Sequence, residues 1–392
     1  MTQRLTPCVP MDRLYPRDAA FMTRTDLART RFLEFQTLNL DSITNIFLGL
    51  MNGLSTVRHR AGVTEDILTL FERAGLPVEE DMHVYETGEE AEAFADALIA
   101  KGKKLFFLYP LREGRFDDSD CLVSPALWAR LNAKGQLADL VASEHLAPRR
   151  LAPLAEIKTF ERPVYVKDAS GEASGGGCTV RACLTADAWT KALAELSALG
   201  IETAVIEDAL PVETCWCVCL VIEPNQTTYA GAAEQVFSSP GVQTGNIVDP
   251  DNPLPEEGVR IAIEIGERAR ALGYVGVAGL DIGRTRDGRL IVFDPNFRMN
   301  SSSSQTLLHA AAAGRAGLPV SYSTFSLSPL PFAEIKRRLL GPIDDGWYLP
   351  ARLLDATHHP GADRSPCGGI VLGASRADAI AAAAKIESLL AG

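Results

Sequence analysis

Apolar and polar positions along the 392 residues fall into blocks whose period changes from one segment to the next. In TEDILTLFERAGL (64–76) and EEAEAFADALIAKG (89–102) apolar residues recur every three or four positions, which predicts amphipathic helices. KLFFLYPL (104–111) is a short apolar run of strand type, the one strand the pattern marks before residue 126. Helix and strand alternating in this way predict an α/β layer. Residues 126–156 read as helical, then open into a proline-bearing connector, LAPRRLAPLAEIKTFERP. Next come strand VYVK, a glycine-rich loop, strand CTVRACL, helix TADAWTKALAELSALG and strand TAVIED, a small α+β module able to sit on hinges. Strand CWCVCLVIE is followed by a predicted loop, SSPGVQTGNIVDPDNPLP, and a long helix, EEGVRIAIEIGERARALG. Two strands, VGVAGLDIG and RLIVFDPN, are joined by RTRDGR. Residues 331–392 read as a proline-rich loop, a closing strand at GGIVLG and an alanine-rich terminal helix.

Composition narrows the partners. Hydrophobic residues at 46% and charged residues at 22% belong to an ordinary globular chain, and the length allows two or three domains. A net charge of −12 disfavours nucleic acid and anionic membranes. An anionic ligand must therefore be gripped by locally placed lysines, arginines and backbone amides. No apolar stretch is long enough to span a bilayer, and MTQRLTPCVPMDRLYPRD lacks the apolar core of a signal peptide, so the expectation is a cytoplasmic protein. The eight cysteines form no regular framework. Cys215, Cys217 and Cys219 share one strand face and are expected to be buried, reduced thiols.

Two stretches carry chemistry. In VYVKDASGEASGGGCTV (164–180) a lysine ends a strand and the glycines follow it, the reverse of a P-loop. Further on, Asp287-Gly288 signals a two-residue hairpin turn. Centring the turn there pairs Arg286 with Arg289 and Asp281 with Asp294. Directly opposed like charges are destabilising, and a carboxylate in an apolar strand is costly to desolvate. A divalent cation between the two aspartates reverses that cost, since hard cations take oxygen ligands. Asn296, two residues past Asp294, adds a third oxygen on the same face, and Arg298 lies two further on. The alternative is that both aspartates end their strands in surface turns.

Taken in order, these segments resemble the ATP-grasp superfamily over residues 126–315, with a layout similar to its amino-acid and peptide ligases and a biotin-carboxylase-like run around Lys167 and Arg298. The resemblance implies an α/β ATP-grasp fold: two α+β subdomains gripping ATP (residues 126–330, with a mobile lid over 157–210), an N-terminal α/β domain (1–125), and a strand–helix segment (331–392) completing the core. It implies that Lys134 and Lys167 meet the ATP phosphates and that Ser174, Gly175, Gly176 and Gly177 cover them. Glu207, Asp208, Ala209 and Leu210 correspond to the adenine-lining hinge, and Glu213 to the ribose contact. Asp281, Asp294 and Asn296 correspond to ligands for Mg²⁺ or Mn²⁺. One departure is that the second metal position is aspartate where the family usually has glutamate. Some members carry an arginine where this chain has Gly279, which leaves Arg298 to steady an acylphosphate, with Lys167 as the other catalytic candidate.

The serines of NSSSSQT, Ser301, Ser302, Ser303 and Ser304, precede a predicted helix and are the candidate substrate contacts, with a plain N-cap as the alternative. His309 is expected to pack, Glu172 to face solvent, and Arg58 and Arg60 to lie on a solvated face. The reaction implied is an ATP-dependent carboxylate–amine ligation through an acylphosphate, releasing ADP and phosphate. Its partners are a small-molecule acid and an amine, with a homodimer left open. The alternatives are a phosphotransferase or bicarbonate-using carboxylase, and a regulatory protein that holds nucleotide without turnover.

Overall fold

The computed structural model describes residues 3–22, 37–109, 114–171, 179–239 and 242–392. Glu172, Ser174, Gly175, Gly176 and Gly177 lie outside the described residues.

Three sheets organise the chain. The first is a parallel, four-stranded sheet of order β3-β2-β1-β4, with β1 at Ala19–Met22, β2 at Ser55–His59, β3 at Asp81–Tyr85 and β4 at Lys104–Phe106. It is accompanied by α1 (Met11–Leu14), α2 (Thr37–Ile43), α3 (Glu65–Arg73) and α4 (Gly88–Ala100). Only β4 was legible as a strand. β1, AAFM, is only four residues long, and β2 and β3 carry arginine, histidine, serine or aspartate, so no long apolar run marks them. The two helices expected here form, each with a threonine N-cap (Thr64 and Thr87) satisfying a free amide at its start.

After α5 (Pro125–Asn132) and a 3-10 turn at Lys134–Asp139, the chain enters a second, antiparallel sheet of order β5-β8-β6-β7. Its strands are β5 (Arg149–Pro153), β6 (Val164–Asp168), β7 (Val180–Cys183) and β8 (Thr203–Asp208), backed by α6 (Ala186–Ala198). The stretch expected as a connector therefore supplies an edge strand. Its Pro153 sits at the strand end, where a missing amide is tolerated. This unit has its own small core around Val166, Trp189 and Leu196.

The third sheet has eight antiparallel strands, in order β13-β12-β9-β10-β11-β14-β16-β15. They are β9 (Val212–Ile222), β10 (Thr227–Ser239), β11 (Val242–Val248), β12 (Gly276–Thr285), β13 (Leu290–Asn296), β14 (Val320–Ser328), β15 (Tyr348–Leu353) and β16 (Ser365–Gly373). Its helices are α7 (Glu256–Ala271), α8 (Ser303–Ala316), α9 (Phe332–Asp344) and α10 (Arg376–Leu390). Two expectations fail here. Part of the predicted loop over 238–255 is strand β11, and the predicted proline-rich loop contains α9, which tolerates Pro342 near its end. Among the described residues no helix is long and apolar enough to cross a membrane.

Arg58 is not on a solvated face. Its side chain and that of Glu80 are both fully buried, joined by Nε–Oε2 at 2.6 Å and Nη2–Oε1 at 3.0 Å. The pair also organises the segment after α2: Arg58 donates to the carbonyls of Thr44 and Phe47, and Glu80 accepts from Gly49 N at 3.0 Å and Thr56 Oγ1 at 3.0 Å. Arg60 forms an exposed pair with Glu86. Replacing one member of a buried pair leaves the other charge uncompensated, at about 3–5 kcal/mol. Arg58→Met should therefore lower unfolding free energy by that amount in denaturant titration, whereas Arg60→Met should change it by no more than about 1 kcal/mol.

Candidate active site

Hairpin β12–β13 brings the two aspartates together, by a different route from the one the turn signal implied. The loop is three residues long: Thr285 N donates to Arg289 O at 2.9 Å, and Gly288 adopts φ 86°, the left-handed conformation such loops require. Near the turn the register is thus one residue off, with Arg284 opposite Leu290 and Ile282 opposite Val292. A β-bulge at Phe293 then corrects it, and Asp281 comes to face Asp294, with Gly279 opposite Asn296. The bulged residue stands outside the ladder. Its carbonyl accepts from Lys167 Nζ at 3.3 Å, and its ring centroid lies 5.6 Å from that ammonium.

The aspartates are not surface turn residues. Asp281 Oδ1 is buried with no hydrogen-bond partner among the described residues. Burial, followed by the charge of Asp294, raises the Asp281 carboxyl above the usual range, and contacts from Gln235 and Cys217 pull the other way. Lys134 Nζ lies 2.9 Å from Asp294 Oδ1. Asn296 Oδ1 accepts from Arg298 Nη2 at 2.7 Å. Gly279 leaves room for Asn300: a Cβ there would meet Asn300 Nδ2 at 2.2 Å, so a larger residue would displace that side chain. Asn300 in turn donates to Cys217 Sγ at 3.1 Å.

The four-stranded antiparallel sheet supplies the opposite wall. Lys167, at the end of β6, pairs with Glu207 Oε1 at 2.5 Å, and Arg149 Nη1 stands 3.6 Å from Glu207 Oε2. Arg149 Nη2 also donates to the Lys134 carbonyl at 2.5 Å. Desolvation lowers the Arg149 pKa, opposed by the charges of Glu207 and Asp294. Arg149 had no signal in the sequence, because β5 was taken for a connector. Gln235, on a strand the pattern did not mark, was also missed.

A cavity of about 660 Å³ is lined by Lys134, Lys167, Glu207, Leu210, Glu213, Asp281, Asp294, Asn296, Arg298, Ser301 and Ser302. That volume is in the range of small-molecule sites. Some candidates lie elsewhere. Asp208 pairs with Arg162 at 2.7 Å, and the amide of Ala209 bonds to Pro163 O at 3.1 Å. Ser303 and Ser304 are buried in the first turn of α8, where the Ser303 hydroxyl is engaged with Asn300. Ser302 occupies the N-cap position of α8 without a side-chain bond to the helix amides, its hydroxyl donating instead to Asn300 Oδ1 at 2.9 Å. His309 packs against Ser321 Oγ at 2.9 Å. Cys215 and Cys217 line the cavity as free thiols, pushed well up in pKa by burial.

Two paired sheets closing on a cavity with facing lysines and opposed carboxylates define the ATP-grasp class. Solved structures share the fold across nearly the whole chain. N5-carboxyaminoimidazole synthetase from Staphylococcus aureus, complexed with ADP, has a TM-score of 0.59 at 11% identity, covering 99% of each chain. L-amino acid ligase from Bacillus licheniformis has a TM-score of 0.55 at 11% identity, covering 95% of this chain and 97% of that one. Biotin carboxylase from Campylobacter jejuni has a TM-score of 0.53 at 14% identity, covering 93% and 89%. The chain belongs to the ATP-grasp ligases. Two family models then match in order: the N-terminal domain of L-aspartate–L-methionine ligase over residues 10–129, and the ATP-grasp domain of the same ligase over 147–296. The protein is thus an ATP-dependent carboxylate–amine ligase.

Because the folded state holds the Asp281 proton more tightly than the unfolded chain does, this group stabilises the protein fully at low pH. The contribution is lost as pH rises above the ordinary carboxylate range near 3.9. In chelator-treated protein, Asp281→Asn should raise the melting temperature over wild type at pH 8, and by less at pH 5. A difference that stays flat with pH would contradict this burial.

Proposed function

We propose that this chain joins an amino acid carboxyl group to the amine of a second amino acid, with L-aspartate as the donor and L-methionine as the acceptor. The substrates are carried over from the family whose two domain models match. The single observation that supports the chemistry is the opposed pair Asp281 and Asp294, held between Lys134, Lys167 and Arg298 in one cavity.

The residues present fit a divalent cation. Asp281 Oδ1 is a buried carboxylate oxygen without a hydrogen bond among the described residues, and Asp294 and Asn296 complete a hard oxygen donor set. Asp281, Asp294 and Asn296 would hold Mg²⁺ or Mn²⁺, which neutralises charge on the β- and γ-phosphate oxygens when bound. In this reading Lys134 and Lys167 offer point charges to the ATP phosphates. Leu210 and Glu213 line the base and ribose end. Glu207 holds Lys167 from behind, so that the ammonium is oriented before nucleotide arrives. Arg298, steadied by Asn296, faces the donor carboxylate as it attacks the γ-phosphate. An acylphosphate and ADP form, the acceptor amine adds to the carbonyl carbon, and phosphate leaves as the amide is made. Arg298 supplies a fixed cation to the oxyanion of that addition. Ser301 and Ser302 line the same cavity, and this reading gives them to the substrates.

The test is ADP release with ATP, Mg²⁺ and the two amino acids singly and together, with mass measurement of the product. Release that needs both, and an aspartyl-methionine dipeptide, are expected. ADP formed at full rate from aspartate alone, with a stable phosphorylated product, would overturn the acceptor step. Asp294→Asn should lower turnover by about 10²–10³-fold with far-UV circular dichroism unchanged, the scale for one preorganised electrostatic contact. Lys167→Ala should raise KM for ATP by roughly tenfold or more, with a smaller effect on KM for methionine.

A further inference from the structure

Away from the acidic hairpin, the cavity reaches a second cation. Arg352 on β15 lines it. Its side chain crosses β16 at Gly368, where a Cβ would stand 3.1 Å from Arg352 Cβ and 3.4 Å from the Phe325 ring. The guanidinium lies 4.8 Å from the centroid of Phe325 on β14. Its Nε donates to Ser42 Oγ at 3.0 Å, and its Nη2 donates to the same hydroxyl. Desolvation lowers its pKa to about 10, which leaves it charged at neutral pH.

Beyond Ser42 and Tyr109, this end of the cavity carries an apolar wall. Ser42 is followed in the chain by Ile43, Ile46 and Phe47, all lining the cavity, and Leu108 and Met299 line it too. These residues come from the N-terminal domain and from the turn after β13, so this end of the site is built by a different part of the chain from the phosphate end. No catalytic step described above uses it.

We propose that Arg352 holds the free carboxylate of the acceptor amino acid, while the acceptor's apolar side chain packs on Ile43, Ile46 and Phe47. The proposal rests on the reading of the protein as an amino acid ligase and assigns the acceptor's place within that site. Three observations lead to it. The donor's reacting carboxyl must lie by Asp294, Asn296 and Arg298, where phosphoryl transfer occurs, which leaves the far cation for a carboxylate that does not react. Two unreacted carboxylates remain in the product, the acceptor's α-carboxylate and the donor aspartate's second carboxylate, so the wall beside the cation decides between them. A planar guanidinium is suited to bidentate carboxylate binding, and low-dielectric walls strengthen the contact. Finally, an aspartate side chain has no apolar part to lay on this wall, whereas that of methionine does.

The experiment compares L-methionine with L-methioninamide as acceptors, at saturating ATP, Mg²⁺ and aspartate, by ADP release. Wild type should prefer the acid by about 10- to 100-fold in kcat/KM, the range for a hydrogen-bonded charge pair. Arg352→Gln should erase that preference, raising KM for methionine by a similar factor and leaving KM for aspartate and ATP within roughly twofold. Arg352→Lys should recover part of the preference. Ser42→Ala, which keeps the arginine and removes its hydroxyl tether, should raise methionine KM by a smaller factor. An Arg352→Gln enzyme that still prefers the acid, or that loses activity on acid and amide equally, overturns the proposal. So does a wild-type enzyme with no preference for the acid, and this outcome is readable even if the glutamine variant fails to fold. Should wild type use a different acceptor, the methionine assignment fails by itself, and the acid and amide of that amino acid judge Arg352 in the same way.

Discussion

Two like charges facing each other across one antiparallel hairpin set the terms for this protein. Asp281 and Asp294 are opposed on β12 and β13, one with a buried oxygen that no described residue bonds. A sheet with only structural duties avoids such a pair. The arrangement is tolerable because cations converge on it: Lys134 at 2.9 Å from Asp294, and Lys167 reaching the carbonyl of the neighbouring bulge residue. The bulge at Phe293 connects the parts. It restores the register that opposes the carboxylates, and it turns one backbone carbonyl towards Lys167. The site's charge balance and its shape thus come from one local irregularity.

Around that hairpin the three sheets have separate tasks. The eight-stranded sheet carries the acidic residues and Asn296. The four-stranded antiparallel sheet has its own core and presents Lys167, Arg149 and Glu207 as a linked set. The parallel N-terminal sheet provides the apolar end of the cavity. It does so through the buried Arg58–Glu80 pair, whose hydrogen bonds to Thr44, Phe47 and Gly49 hold the segment bearing Ile46 and Phe47 in place. A charge network remote from the acidic hairpin therefore shapes the apolar wall of the cavity.

Much of the site was legible because its residues sit in strongly patterned elements. Lys167 ends an apolar strand before glycines, and Asp281, Asp294 and Asn296 interrupt or end apolar strands next to a clear turn signal. The pairing of the aspartates was correctly expected, but the turn alone would not have produced it. The expected two-residue turn is a three-residue loop, and only the bulge compensates for the difference. A bulge leaves no periodic trace in the sequence. Arg149, Gln235 and Arg352 escaped notice for a related reason: β5 and β10 were not recognised as strands, and β15 lay inside a supposed loop.

By itself, the sequence determined the elements with long, regular patterns, the order of the chemical motifs along the chain and the ligase class those motifs define. Periodicity and turn chemistry are local properties, and they survive in one dimension. The tertiary structure alone decided which charges meet. It buried Arg58 against Glu80, placed Glu207 behind Lys167, withdrew Ser303 and Ser304 into a helix, and brought Arg352 from the far edge of the large sheet to the cavity. Each of these depends on contacts between residues distant in the chain, and their energies are set by burial and by partner geometry, neither of which a linear pattern contains.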